Sequence, residues 1–263
     1  VAGAALAWFI VAELRNPAPL LQIRLLAERN FGISMAVLTL FAIGMLGGTY
    51  LLPLYMQRGL GYTALAAGSM FLPVGVIQGV LSAVSGYLTR YVRPLLLSAA
   101  GILIMALSFW LASRFTLHTT HGHILFILYL RGFGMGLTFA PLNLFSLKNL
   151  TQQDMAAAAG ISNSIKQLAG SIGIALLTVI FSARTSYHAA HETVSAAQTY
   201  VEGVTDALRV VAVITLAALL PLLGVFRKKR PGKSGVKGAA TPSPGEAVSG
   251  KTDKTTIYRT KPE

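Results

Sequence analysis

The chain has 263 residues, of which 54% are hydrophobic and only 12% are charged, and its net charge is +13. A soluble domain carries about 25% charged residues, so this chain lacks the groups that would cover a water-facing surface. It contains no cysteine, which excludes disulfides, thiolate metal sites and cysteine nucleophiles. The composition predicts an integral membrane protein and not one or two soluble domains.

The chain opens with an uncharged run that ends before Glu13. About twenty apolar residues are needed to cross the hydrocarbon layer, so this run is too short to span it. It also lacks the basic start of a signal peptide. We interpret residues 1–12 as the end of a helix whose beginning is missing, and residues 1–30 as that truncated helix followed by a cytoplasmic linker.

Six full apolar spans follow, because long stretches of the chain carry no charged residue. The connections between them contain the Gly, Pro and charged residues that interrupt membrane helices. Together the spans form a six-helix transmembrane region over residues 31–226. The predicted spans are 32–54, 66–88, 95–113, 123–146, 160–183 and 205–226.

Lysine and arginine are distributed unequally between the two sides of the membrane. The side that holds the linker and the C-terminal tail carries most of them, whereas the opposite side holds Arg58, Arg114 and Arg184. The positive-inside rule places the basic side in the cytoplasm of a multi-pass protein. Residues 227–263 are rich in Pro, Gly, Ser, Thr and Lys, so we expect a disordered basic cytoplasmic tail that contacts anionic lipid. No aromatic-interleaved basic fold accompanies this charge, so nucleic acid is not expected as a partner.

One arginine lies inside a predicted span. Arg131 has no acidic residue within a helical turn on either side, and a central arginine costs about 2.5–3.5 kcal/mol on insertion scales. Charges inside the membrane mark functional sites by default, while packing against carbonyl groups or snorkelling would also explain this one. We predict that Arg131 faces a central cavity.

Two helix faces combine aromatic, thioether, hydroxyl and amide side chains with little charge. Helical spacing places these side chains on one face of each helix. Such groups suit an apolar or cationic organic substrate, and ordinary contacts between helices explain them as well. The candidate cavity residues are Tyr50, Leu54 and Gln57 on the first span and Met135, Thr138 and Asn143 on the fourth.

The remaining polar groups have simpler explanations. Lys166 lies less than two turns from the predicted cytoplasmic end of its span, where it can snorkel. Asp206 and Arg209 are one turn apart and can pair along the last span. Three outer-loop histidines have no carboxylate or cysteine beside them, so no metal is expected. No predicted span has Asp or Glu in its interior, so a proton-carrying carboxylate is not expected in this chain.

Three segments together resemble the major facilitator superfamily, and specifically the C-terminal half of its EmrB/QacA type of drug:proton antiporter. They are LLPLYMQRGLGYTALAAGSMFLPVG (51–75), LRGFGMGLTFAPL (130–142) and ISNSIKQLAGSIGIALLT (161–178). The resemblance implies an all-α polytopic membrane fold, namely a six-helix half built as a 3+3 inverted repeat. It also implies that the truncated first helix is the second of two extra helices, and that the N-terminal half of the same polypeptide is missing. The loop GYLTRYVRP matches the family's cytoplasmic motif at Gly86, Arg90 and Arg93, but lacks its aspartate.

The resemblance implies a function as well. We expect a fragment of a proton-coupled multidrug or small-molecule efflux transporter of the inner (plasma) membrane, which works by alternating access and uses no cofactor. Its partners would be a small apolar or cationic substrate, protons and membrane lipid. By analogy with the other half of the family fold, Arg131 would take part in proton coupling. The alternative is a membrane scaffold or assembly subunit without transport activity. An enzyme would need His, Asp, Glu or Ser clustered in one interior, and the spans show none.

Overall fold

Most of the chain that the structure describes lies in helices. The computed structural model describes residues 23–148, 150–152, 154–191 and 195–228. The predicted helix end at 1–12 and nearly all of the predicted tail at 227–263 therefore lie outside the described residues. By its internal contacts the chain divides into residues 1–229 and 230–263, and everything described belongs to the first unit.

Six stretches among the described residues are long and apolar enough to cross a membrane, which confirms the predicted all-α polytopic architecture. A 3-10 segment, Ile23–Ala27, precedes them, and a π-helical turn, Tyr55–Gly59, extends the first helix. The α-helices are α1 (Arg29–Leu54), α2 (Ala64–Ser69), α3 (Leu72–Leu88), α4 (Pro94–Ala112), α5 (His121–Leu147), α6 (Met155–His191), α7 (Ala196–Ala217) and α8 (Leu219–Lys228).

The first four predicted spans agree to within three residues with α1, with α2 and α3 together, with α4 and with α5. Helices α6 and α7 do not coincide with the last two predicted spans. Helix α6 runs from Met155 to His191 and α7 already begins at Ala196. Residues 184–202 contain neither Gly nor Pro, so nothing in this segment stops the helices where the apolar stretch ends. The Ser195 side chain caps α7 by accepting a hydrogen bond from the backbone nitrogen of Gln198 at 3.3 Å.

The six long helices form two rows. Helices α3, α5, α1 and α6 lie side by side in that order and form the front row, in which each helix contacts the next. Helices α4 and α7 form the back row: α4 packs against α5, and α7 packs against α1, α4 and α6. The central helices α5 and α1 are therefore covered from behind. Helices α5 and α6 lie on either side of α1.

Glycines let these helices approach closely. A Cβ atom added to Gly134 of α5 would lie 2.9 Å from the backbone nitrogen of Met105 in α4. One added to Gly136 would lie 3.0 Å from the carbonyl oxygen of Gln78 in α3. In lipid there is no hydrophobic force between helices, so close backbone contact supplies the packing energy. The alternating glycines that follow Arg131 thus allow close contact with α4 on one side of α5 and with α3 on the other.

Helices α3 and α6 stand at the two ends of the front row and are the least buried of the long helices. In the apolar stretch containing α3 17% of the residues are buried and in α6 22%, against 50–61% in the other four. The side chains of Leu72, Val76 and Val80 on α3 are 59–72% exposed. Beside them, Gly75 and Gly79 have no atom within 4 Å of the position that a Cβ would take. The described residues therefore leave an apolar face of each end helix uncovered.

Candidate functional site

Arg131 lies in the interior of the bundle, near the middle of α5. Its side chain is 1% exposed. The Nη2 group donates hydrogen bonds to the carbonyl oxygen of Met45, at 3.0 Å, and to the Thr49 hydroxyl, both on α1. The guanidinium carbon lies 5.2 Å from the centre of the Phe109 ring on α4. One side chain thus connects α5 to its front-row neighbour and to the back row.

The charge of Arg131 has no counterion among the described residues, where every ion pair involves Glu202 or Asp206. Its Nη1 group is buried without a hydrogen-bond partner. A buried guanidinium that is only partly hydrogen-bonded is costly to maintain. In this structure the two helix rows enclose Arg131, and it does not reach the open front face as the sequence led us to expect. Its role in proton coupling stays a prediction.

The predicted stripe on α5 is a packing face and not an open cavity wall in this structure. Met135 is 8% exposed and Thr138 is fully buried. The Thr138 hydroxyl donates to the carbonyl oxygen of Gly134 at 2.7 Å, and the residue packs against Gly101 of α4. Helical spacing correctly groups these side chains on one face, but it does not show which neighbour that face meets.

The other candidate cavity residues are more exposed but do not come together. Tyr50 is 41% exposed, Gln57 and Asn143 are exposed, and Leu54 is half-buried. Asn143 lies beside Leu38 of α1, and Gln57 is 19 residues further along that helix, or about 28 Å away at 1.5 Å per residue. The six predicted residues therefore do not form a single site within this chain.

Asn143 instead borders a cleft of about 190 Å³ in the front row. Leu38 of α1 forms its floor. Phe139 and Asn143 of α5 line one wall, and α6 lines the other with Ser162, Asn163 and Lys166. We refer to these six residues as the Lys166 cleft. The Lys166 Nζ atom lies 6.0 Å from the centre of the Phe139 ring, across the cleft on α5.

The position of Lys166 differs from the one predicted. Because α6 begins at Met155, Lys166 lies 11 residues into the helix, about 16 Å from its start. The predicted distance was less than two turns. Its ammonium group is directed toward the Phe139 ring of α5, beyond α1. The predicted span began at residue 160, so Lys166 was expected closer to the helix start than it is. The only other indication in the sequence was the pair of amide residues on either side of it, Asn163 and Gln167.

A second polar cluster joins α6 to α7 at the opposite end of the bundle. His188 Nε2 lies 3.1 Å from Asp206 Oδ2, and His188 Nδ1 lies 3.5 Å from Glu202 Oε2. Asp206 also pairs with Arg209 at 3.0 Å, as predicted, and with Arg184 at 3.9 Å. Glu202 and Asp206 lie in the first three turns of α7, and the expectation that no span contains an acidic residue in its interior stays a prediction.

The predicted loop motif follows the C-terminal end of α3 and is exposed. Arg90 and Arg93 are exposed, and the Arg90 guanidinium lies 5.4 Å from the centre of the Tyr87 ring. The Tyr87 and Tyr91 hydroxyl oxygens are 3.2 Å apart, and this hydrogen bond raises the pKa of the Tyr91 hydroxyl. Gly86 has no atom within 4 Å of its Cβ position. Tyrosine and arginine together are typical of a membrane interface.

The histidines near the start of α5 contact aromatic side chains. His121 Nδ1 lies 3.5 Å from the Tyr62 hydroxyl, and the His123 ring packs on Phe115 at 6.1 Å. In the part of the chain that the structure describes, no group of three or more His, Cys, Asp or Glu side chains could hold a metal ion.

The sequence is similar to known proteins. Residues 2–174 match the family model of the Major Facilitator Superfamily. Over 196 residues the chain is 33% identical to the multidrug export protein EmrB of Escherichia coli K12, a match that covers 74% of this chain and 38% of EmrB. It is 30% identical over 188 residues to the uncharacterized MFS-type transporter YhcA of Bacillus subtilis (72% of this chain, 35% of YhcA). It is also 30% identical over 183 residues to the fatty acid resistance protein FarB of Neisseria gonorrhoeae (70% of this chain, 36% of FarB).

The fold and these matches define a multi-pass helical membrane protein that is similar to transporters. The chain belongs to the Major Facilitator Superfamily, which confirms the resemblance found in the sequence. Each match covers little more than a third of the relative's length.

Proposed function

We propose that this chain forms one half of a proton-coupled transporter that exports small organic molecules by alternating access. The open front row is the observation that carries the proposal. Four helices side by side, backed by two others, leave an apolar face with a polar cleft in it. Transporters of this kind place the substrate between two such halves, near the middle of the membrane. The names of EmrB and FarB, a multidrug export protein and a fatty acid resistance protein, support export as the direction.

The uncovered faces of α3 and α6 support a second helical half as the partner of this one. Small residues on a membrane helix allow close contact with another helix, and Gly75 and Gly79 have no such neighbour among the described residues. A half that packs on α3 and α6 would leave the middle of the front row, α5 and α1, facing a cavity. Rocking of the two halves about these contacts would open that cavity to either side in turn.

Arg131 supports the coupling part of the proposal. It connects α5 and α1, the two middle helices of the front row, through one guanidinium nitrogen while the other has no partner. In a conformation in which α5 and α1 move apart, a carboxylate could reach Nη1 and would stabilise that conformation, and protonation of the carboxylate would release it. Arg131 would in this way make the balance between conformations depend on proton binding, with the carboxylate supplied by the second half.

The orientation is also part of the proposal. The excess of Lys and Arg on the side of Arg90, Arg93 and the C-terminal tail supports a cytoplasmic location for that side in the inner membrane. A membrane scaffold without transport activity is the alternative, but a scaffold has no need of a buried, unpaired arginine that costs free energy.

A drug-accumulation assay on the full-length gene product tests the proposal. Cells that express it should accumulate less of a tested compound than cells without it, and an uncoupler that collapses the proton gradient should remove the difference. Arg131→Ala, produced at equal surface level, should behave like the cells without the protein. If no compound in a chemically diverse panel shows expression-dependent accumulation, the scaffold alternative is favoured. If export persists with the uncoupler, proton coupling is excluded.

A further inference from the structure

The back of the bundle carries an apolar groove along the line where α4 and α7 meet. Its volume is about 290 Å³. Two buried alanines form its floor, and the larger side chains along its edges are 47–62% exposed. Because α5 and α1 lie in front of α4 and α7, the groove opens away from the front row. We call it the back groove, and it is lined by Leu103, Ala106, Leu107, Trp110, Ala212, Val213 and Leu216.

A polar pocket of about 180 Å³ lies at the end of the same two helices. One wall is formed by residues 115–118, which follow the end of α4, and the other by Gln198, Val201 and Glu202 in the first turns of α7. The Gln198 Nε2 group donates to Glu202 Oε1 at 3.2 Å. The Glu202 side chain is 30% exposed, so a ligand in this pocket can reach its carboxylate. We call this the Glu202 pocket.

Arg209 lies between the Glu202 pocket and the back groove. Helical spacing places Glu202, Arg209, Val213 and Leu216 on one face of α7. The Arg209 side chain is 59% exposed, and its Nη1 group donates to Asp206 Oδ1 at 3.0 Å. A guanidinium has five N–H donors, so this pair leaves donors for an anion. The bond also holds the guanidinium at the level of Asp206, which is four residues from Glu202, or about 6 Å along the helix.

The order and the length of this surface match those of a phospholipid. A carboxylate, a guanidinium and an apolar groove follow one another along α7, as the ammonium, the phosphate and the acyl chain do in a zwitterionic lipid. Glu202 and Leu216 are 14 residues apart, or about 21 Å, and half of a bilayer with its head groups is about 20–22 Å thick. Trp110 at the edge of the groove is of a residue type enriched at membrane interfaces.

We propose that the back groove and the Glu202 pocket together bind one molecule of phosphatidylethanolamine. An acyl chain would lie in the groove, Arg209 would bind the phosphate, and the ammonium group would donate to the Glu202 carboxylate. Charge-assisted hydrogen bonds of this kind need an N–H donor on the cation. The ethanolamine ammonium has three, whereas the choline of phosphatidylcholine has none. The site lies behind the bundle, opposite the front row where the proposed function places the substrate, so lipid binding and export are separate properties.

Native mass spectrometry of the full-length gene product tests the inference. The protein in detergent micelles would be titrated with phosphatidylethanolamine or phosphatidylcholine of identical acyl chains. The wild type should bind the ethanolamine lipid at least about threefold more tightly, and Glu202→Gln should bind both lipids equally. Arg209→Gln should bind phosphatidylethanolamine at least about threefold more weakly than the wild type. Arg184→Gln is the matched control, because Arg184 is 56% exposed and also pairs with Asp206, but from α6, and it should bind like the wild type.

Three outcomes would overturn the inference. Equal affinity of the wild type for the two lipids would show that the head group is not recognised. An equal loss of binding in Arg184→Gln and Arg209→Gln would show that the substitutions act through the Asp206 ion pairs and not through a phosphate. The third concerns the groove: a benzophenone side chain in place of Val213 should photocross-link to phosphatidylethanolamine in nanodiscs, and a cross-link to another protein segment would assign the groove to a helix instead.

Discussion

Replacing Arg131 by alanine removes a buried charge together with the hydrogen bonds that connect α5 to α1. Truncation leaves a cavity of roughly 85 Å³, which at about 24 cal/mol per Å³ costs about 2 kcal/mol. The lost hydrogen bonds from a charged donor cost about 2 kcal/mol more. Against this, the variant no longer buries a guanidinium, which relieves about 2.5–3.5 kcal/mol on insertion scales. We therefore expect Arg131→Ala to lower the free energy of unfolding by only about 1 kcal/mol while abolishing coupled export.

Phe109→Ala is the matched comparison, because Phe109 is 1% exposed and stacks on the same guanidinium. It creates a cavity at the same depth without relieving a charge, so it should lose about 3–5 kcal/mol. Both variants would be unfolded with SDS in mixed micelles and followed by loss of helical circular dichroism. If Arg131→Ala lost as much stability as Phe109→Ala, the arginine would be a structural connection between helices, and its burial would give no reason to assign it a role in coupling.

Three further predictions follow from the packing and the charge distribution. Gly173→Ala should lower stability by about 1–3 kcal/mol in the same SDS titration because its methyl group would meet the backbone of α1. Gly160→Ala on the same helix, with open space around it, should be neutral or stabilising by up to about 1 kcal/mol, and equal losses would disprove the packing argument. A single cysteine at Thr119 should react with an impermeant thiol reagent added to intact cells and one at Ser234 should not, and external labelling at Ser234 would reverse the proposed orientation. Asp206→Asn should cost about 1 kcal/mol in the SDS titration because it weakens contacts with three partners on two helices, and an unchanged transition would show that solvent screens this cluster.

The sequence predicts membrane crossings more reliably than helix ends. The spans from α1 to α5 are bounded by Gly, Pro and charged residues close to the edges of the apolar stretches, so hydropathy and helix limits coincide there. Between residues 184 and 202 they do not, because charged and polar residues without Gly or Pro continue a helix beyond its apolar part. Asp206 lies further along its helix than predicted because α7 begins at Ala196, and Lys166 does so because α6 begins at Met155.

The sequence also groups residues on a helix face without showing what the face contacts. Spacing places Arg131, Met135 and Thr138 together, and the structure agrees. Whether that face meets a cavity or the back row depends on how six helices pack, which is a tertiary property. The Lys166 cleft is a similar case, since Asn143 and Lys166 belong to two helices that become neighbours only through α1.

Transport by purified protein in proteoliposomes tests the central claim most directly. The full-length gene product would be reconstituted, and a pH gradient imposed across the membrane while uptake of a compound that expressing cells exclude is followed. The account predicts that the compound accumulates only when protons can flow in the opposite direction, and that Arg131→Ala vesicles show no accumulation with or without the gradient. Accumulation that is equal with and without the gradient, or that is unchanged in Arg131→Ala, would contradict it.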